Sequence, residues 1–171
     1  SGINVSYLQD GTLTLPATLT DKAENTGSND TDSKTKDTTA PIISVASGTD
    51  AGPVKTDTIN LTIGDANPIS LSQYGFSADA TCNAADTYGN PFTSGVDFAI
   101  ADNHTDYLCA KATDSFSNTA YQYVGKLNTD NTNPVLVLSS LFTGQTLTGG
   151  LIYPINWTAT VLSFGGAPIK L

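Results

Sequence analysis

The chain of 171 residues has no arginine, no methionine and a single glutamate, Glu24; its seven lysines face sixteen acidic residues, for a net charge of −9. With a pI near 4.1 and no basic cluster, it offers no surface that could neutralise a phosphate backbone, which excludes DNA and RNA as partners. No apolar run reaches the roughly 18 residues of a membrane span, and no charged leader followed by an apolar segment marks a signal peptide. Any anchor or export signal is therefore expected outside this segment. With no arginine, one glutamate and seven lysines, long helices built on alanine, glutamate, lysine, arginine and leucine are ruled out. The one histidine, His104, stands among Asp102, Asn103 and Asp106 in a turn-like stretch, where it reads as a solvated turn residue. There is no G-x-S-x-G elbow, no H-E-x-x-H helix and no phosphate-cradling glycine loop after a strand, and the single glutamate falls in a loop rather than in a paired-carboxylate cleft. The chain is read as non-enzymatic, with no catalytic residue.

What is abundant is threonine, serine, asparagine, aspartate and glycine, which make up about half of the chain, a composition of strand and turn formers. The hydrophobic fraction of 39% suits sheets that bury one face and solvate the other. Ile59, Leu61 and Ile63 alternate with Asn60 and Thr62 in the period of two that marks a half-buried strand. Many short runs of this kind between turn clusters indicate an all-β sandwich. Two cysteines, Cys82 and Cys109, fit one disulfide and an oxidising, extracytoplasmic location.

An internal repeat sets the register. Ala17 to Pro41 realigns on Ala110 to Pro134 at a constant offset of 93, matching Asp21 with Asp114, Asn25 with Asn118, Thr26 with Thr119 and Pro41 with Pro134. Both copies read A-x-x-T-D-x-x-x-N-T, then close with D-T-T-A-P or D-x-T-x-P. A period of this length is that of one small sandwich per repeat in a tandem array.

These residues resemble the tandem bacterial immunoglobulin-like repeats of large cell-surface and adhesin proteins, in which the T-D-x-x-x-N-T hairpin and the D-T-T-A-P linker close one repeat and join the next. The resemblance implies tandem immunoglobulin-like β-sandwich domains: residues 1–37 as the last strands of one repeat, 38–131 as a complete repeat and 132–171 as the first strands of another. The segment from Thr148 to Ala159 is similar to the G-G-x-x-Y-x-I-x-W-x-A strand of related surface repeats. Within the complete repeat the strands are expected at 41–47, 57–64, 72–79, 95–101, 105–113 and 118–127, with a polar insertion from Thr81 to Phe92. The step from Asp106 to Cys109 resembles a tyrosine corner, with Tyr107 bonding back to the preceding turn. If Cys82 and Cys109 pair, the bridge ties this insertion to a strand instead of crossing the core.

In such a sandwich the entering linker and two of the loops meet at one pole. The resemblance thus brings Asp37, Asp65, Asp114 and Asn118 toward one point and makes them candidate ligands for calcium, a cation that takes six to eight oxygens. The alternative is that Asp114 and Asn118 only close their own turn through side-chain to backbone bonds. Lys111 is a remote candidate for an isopeptide bond. Sequons at Asn4, Asn29, Asn60, Asn103 and Asn156 match N-x-Ser/Thr, as several would by chance in a chain of this composition.

The expected function is that of a structural stalk, filament or adhesin spacer of an extracellular bacterial surface protein, with neighbouring copies or repeats as its partners. Beginning inside one repeat and stopping inside another, the chain reads either as a window cut from a longer fibre or as a unit whose two incomplete ends complement each other head to tail between copies. The competing readings are an adhesin module that binds a surface glycan or protein through the Thr81–Phe92 insertion, and a non-catalytic appendage of a secreted enzyme or phage fibre.

Overall fold

A computed structural model describes residues 3–50, 52–139, 146–154 and 156–160. The parts of the expected third repeat at 140–145, 155 and 161–171 lie outside the described residues. The fold is all-β, with no helix among the described residues. In chain order the strands are β1 (Gly11–Ala17), β2 (Asp30–Lys36), β3 (Ile42–Ser47), β4 (Asp57–Gly64), β5 (Ile69–Ser77), β6 (Asn90–Pro91), β7 (Phe98–Ile100), β8 (Tyr107–Asp114), β9 (Thr119–Lys126), β10 (Val135–Leu138) and β11 (Trp157–Thr160).

Among the described residues these strands form four antiparallel sheets: a β1–β2 ribbon, a three-stranded sheet β3-β4-β7, a four-stranded sheet β6-β5-β8-β9, and a β10–β11 ribbon. The three- and four-stranded sheets share one core, an arrangement that fits a β-sandwich. Alternation puts Ile59 and Leu61 of β4 and Leu108, Ala110 and Ala112 of β8 wholly inside, while Thr58 and Thr62 stay in solvent. The two small alanines of β8 share the core with aromatic rings: Tyr74 stacks on Phe98 at 4.6 Å, and Phe92 lies 6.0 Å from Phe98. After β3 the chain crosses to the other sheet, where Val54 makes a parallel bridge to Thr129; the Val54 N–H donates to the Asn128 carbonyl, and its own carbonyl accepts the Asp130 N–H. One segment thereby ties the two sheets together at the end of β9.

The strands expected at 41–47, 57–64, 105–113 and 118–127 appear within a residue or two of those bounds. That at 72–79 begins three residues earlier, and that at 95–101 shortens to β7. β2 lies within residues 1–37, where closing strands are expected without individual bounds. Its residues DTDSKTK have no apolar alternation, and pairing along the whole of β1, from Gly11 with Lys36 to Ala17 with Asp30, is what makes the segment a strand. His104 is not a solvated turn residue either: its ring stacks on Phe76 at 4.0 Å and its Nδ1 lies 3.2 Å from Asp106. Tyr107 does not form the expected corner; it lies 6.2 Å from Tyr123 with the Lys126 ammonium over its ring.

Cys82 and Cys109 form a disulfide across 27 residues, with Cα atoms 5.6 Å apart. It holds the 78–89 loop against β8, and Gly75 of β5 lets that loop come close, because a Cβ there would fall inside van der Waals contact of the Thr87 carbonyl oxygen. Replacing both cysteines by serine should lower stability by about 3–4 kcal/mol on the chain-entropy treatment of a loop of this length, measured by urea unfolding under non-reducing conditions. Gly75→Ala should cost about 1–3 kcal/mol through overpacking and raise hydrogen exchange in the 78–89 loop, while leaving exchange in β4 unchanged.

Candidate functional site

The pole at which the chain enters the two-sheet body is built from three segments: the linker after β2, the loop after β4 and the turn between β8 and β9. The turn is held by one carboxylate. Asp114 Oδ1 accepts the N–H groups of Phe116 (2.8 Å) and Asn118 (2.9 Å), and Oδ2 accepts the Asn118 side-chain amide (2.8 Å). These bonds keep Ser117 in the left-handed region at φ 73°. Asp114 is only 1% exposed. Burial pushes its carboxyl up, but the bonds from the Asn118 side chain and from the Asn118 and Phe116 N–H groups outweigh burial and hold it below the usual carboxylate range.

The same turn occurs 93 residues earlier. Asp21 accepts the N–H groups of Ala23 (2.8 Å) and Asn25 (2.9 Å) and the Asn25 side-chain amide (3.0 Å). Glu24 takes the left-handed conformation of Ser117, and the facing threonine pairs recur as Thr20 with Thr26 and Thr113 with Thr119. The strand register also repeats: Thr14 pairs Ser33 and Leu15 pairs Asp32, as Tyr107 pairs Lys126 and Leu108 pairs Gly125. In both hairpins the register slips by one residue before the turn, after Ala17 in the first and after Leu108 in the second.

The linkers carry the correspondence further. Asp10 accepts the Lys36 ammonium (2.7 Å), the Thr38 N–H (2.8 Å) and the hydroxyls of Thr38 and Thr39. The bond from Lys36, followed by that from the Thr38 backbone, holds the Asp10 carboxyl far below its ordinary range. At the same offset Asn103 replaces Asp10: its Oδ1 accepts the Asn131 N–H and its amide donates to the Thr132 hydroxyl, each at 2.5 Å. Asp37 accepts the Thr39 N–H at 3.0 Å, as Asp130 accepts that of Thr132 at 2.9 Å. A short polar residue before the hairpin thus clasps each linker at the two positions after its aspartate.

Where the first linker meets the body, Asp37 is drawn onto the pole. Its Oδ2 accepts the Asn67 side-chain amide (2.8 Å), its backbone carbonyl accepts that of Asn118 (3.3 Å), and Asp65 accepts the Asn67 N–H (2.7 Å). Oxygens of the Asp37, Asp65 and Asp114 carboxylates all lie within 4.8 Å of one another. The four residues named from the sequence meet here, and Asn67, which the sequence reading passed over, links two of their segments. A cleft of about 490 Å³ opens beside them between the β1–β2 ribbon and the body, with Asp10, Lys36, Asp65 and Asn67 in its walls. Asp114 already accepts three hydrogen bonds of the roughly four that a carboxylate can take, so turn closure and a shared cation are compatible roles.

Three aspartates, Asp10, Asp21 and Asp114, have carboxyls held below their ordinary value. A carboxyl lowered in the folded state adds stability above its unfolded pKa and loses that contribution as pH falls through the folded value. The melting temperature should therefore be flat from pH 8 to about pH 5 and fall below about pH 4. Changing the three aspartates to asparagine should lower the plateau and flatten the acid limb; an unchanged acid limb would contradict the assignment.

No family model matches the chain, and no curated protein and no solved structure matches it.

Proposed function

We propose that the chain is a segment of a structural stalk or filament, built from tandem immunoglobulin-like β-sandwich repeats and acting as a spacer in an extracellular bacterial surface protein or adhesin. Residues 38–131 make one complete repeat in this reading. Residues 1–37 are the closing strands of the repeat before it, and 132–171 are the opening strands of the next. The observation that carries the reading is a recurrence at an offset of 93: the hairpin bonds of Asp21 and Asp114, the linker bonds of Asp37 and Asp130, and the Asp10 or Asn103 oxygen that accepts the linker N–H, although most of the surrounding side chains differ. A disulfide inside the complete repeat supports an oxidising, extracellular setting.

The work of such a segment is mechanical. The strand ladders and the Cys82–Cys109 bridge hold each module, while the Asp10 and Asn103 clasps and the bonds from Asn67 and Asn118 fix how one module leaves the next. Calcium at Asp37, Asp65, Asp114 and Asn118 would stiffen the joint further. Three negative charges from three separate chain segments repel at this spacing, and a divalent cation among them turns that repulsion into a cross-link. A second reading, a ligand-binding adhesin module, is favoured by the ordered insertion: the bridge pins it, the Tyr88 hydroxyl donates to the Asn83 carbonyl, and Tyr88 lies against Tyr121 and under the Lys111 ammonium. A glycan array separates a binding module from a spacer.

Calcium should raise the melting temperature of the chain by several degrees, and Asp37→Asn with Asp65→Asn should abolish that rise. A melting curve indifferent to both calcium and EDTA would remove the metal from the account. Electron micrographs of the native assembly should show evenly spaced globules along a rod.

A further inference from the structure

The outer face of the four-stranded sheet differs in chemistry from the rest of the chain. β8 turns Leu108, Ala110 and Ala112 into the core, so Tyr107, Cys109 and Lys111 stand on the opposite face. Cross-strand pairing places Tyr121 beside Lys111, Tyr123 beside Cys109 and Lys126 beside Tyr107. Lys126 reaches this face only because the register shifts between Leu108 and Cys109; the shift makes room for Val124, which packs on the core, and re-aims Lys126 outward. The Cys82–Cys109 bridge brings the 78–89 loop, and with it Tyr88, onto the same face. Four of the seven tyrosines gather here with two of the seven lysines.

They form two similar stations. In one, Tyr88 lies 5.6 Å from Tyr121 and the Lys111 ammonium stands over the Tyr88 ring at 5.9 Å. In the other, Tyr107 lies 6.2 Å from Tyr123 and the Lys126 ammonium stands over the Tyr107 ring at 5.6 Å. Each station thus has one ring that carries a cation and one, Tyr121 or Tyr123, that carries none among the described residues. Those two rings are two positions apart on one face of β9, a spacing of ~7 Å. A groove of about 520 Å³ opens beside Tyr123 and Lys126, with Thr49, Thr105 and Asn128 in its walls. The hairpin does not need this face. At the offset of 93, Thr14, Thr18, Ser28, Asp30 and Ser33 stand where Tyr107, Lys111, Tyr121, Tyr123 and Lys126 stand here, yet the turn closes with the same bonds. Charge is sorted as well. None of the sixteen acidic residues stands on this face of β5, β8 or β9; Asp86 near Tyr88 and Asp50 in the groove wall come from loops.

We infer that this face binds an acidic glycan, a chain of uronate sugars whose apolar faces stack on Tyr121 and Tyr123 and whose carboxylates meet Lys111 and Lys126. The weakly positive C–H groups of a sugar's apolar face complement the negative face of an aromatic ring. An ammonium seated on the neighbouring ring is held by cation–π attraction, which fixes a partner for a carboxylate carried at the edge of the stacked sugar. Two stations in a row suit a ligand that itself repeats, and a neutral glycan would leave both lysines unused. The inference rests on the ligand-binding reading above and deepens it: it names the ligand class and extends the recognition surface from the insertion to the sheet that the insertion joins.

Tetragalacturonate is a suitable probe, because its methyl ester is the same chain without the charge. Added to the full chain, it should shift the backbone amides of Lys111, Tyr121, Tyr123 and Lys126 in proton–nitrogen correlation spectra and leave those of β4 unchanged. Lys111→Gln with Lys126→Gln should weaken binding by about tenfold, the sum of two exposed ion pairs, and the methyl ester should bind the unaltered chain no better than that variant binds the acid. Tyr121→Ser with Tyr123→Ser should abolish binding of both; circular dichroism and the intact disulfide verify the fold, and the ester comparison needs no variant at all. An ester that binds as tightly as the acid, a lysine variant that binds as the wild type does, shifts confined to other faces, or a response to dextran sulfate without one to tetragalacturonate would each overturn the inference. A glycan array that responds to neutral sugars alone removes this inference and keeps the ligand-binding reading, whereas an array with no response removes both.

Discussion

The side-chain amide of Asn118 donates to two acceptors, the Asp114 carboxylate of its own turn and the Asp37 carbonyl of the incoming linker. These bonds join local and long-range structure. The first closes the β8–β9 hairpin and helps to set its register, which decides whether Leu108, Ala110 and Ala112 face the core or the solvent. The second anchors residues 81 positions away and fixes where the linker enters. Because Asp114 is buried, loss of the Asn118 amide would take the hydrogen bond from Oδ2 of a charged group, so the turn and the linker are constrained together.

The repeated joint explains how two hairpins with different side chains reach one geometry. Asp21 and Asp114, Thr20 and Thr113, and Asn25 and Asn118 keep the atoms that make hydrogen bonds, while Lys22, Ala23 and Glu24 give way to Ser115, Phe116 and Ser117. The clasp tolerates Asp10 or Asn103 because either side chain presents an oxygen to the linker N–H. The two differ in charge: Asp10 draws in Lys36, whereas Asn103 donates its own amide to Thr132. The joints then share a backbone path and differ in their dependence on salt and pH, since an ion pair is screened and a neutral amide is not.

Much of this was legible in the sequence for physical reasons. Strands such as β4, β8 and β9 announce themselves because one face is buried and their side chains alternate, and the offset of 93 exposed the hairpins because the turn needs Asp and Asn at fixed positions. The pole residues Asp37, Asp65, Asp114 and Asn118 could be named because they lie in the linker and loops that a sandwich of the resembled kind gathers at one end. The bounds of β2 were not legible, since its structure comes from pairing with β1 and not from its own polar residues. Asn67 was missed because a single asparagine in a loop carries no pattern; only the folded chain shows it bonding to Asp37. His104 was misread because its sequence neighbours are polar, while the ring that covers it, Phe76, is 28 residues away.

The polar joint sets hydrogen-bonded contacts from the linker after β2 to two loops of the two-sheet body. The central claim is that the joint fixes the β1–β2 ribbon relative to the body. Residual dipolar couplings of backbone amides test it most directly. Couplings from β1–β2 and from β3–β9 should fit one alignment tensor in the wild type and separate into two when Asn118 and Asn67 are both changed to alanine. Two independent tensors in the wild type would contradict the account.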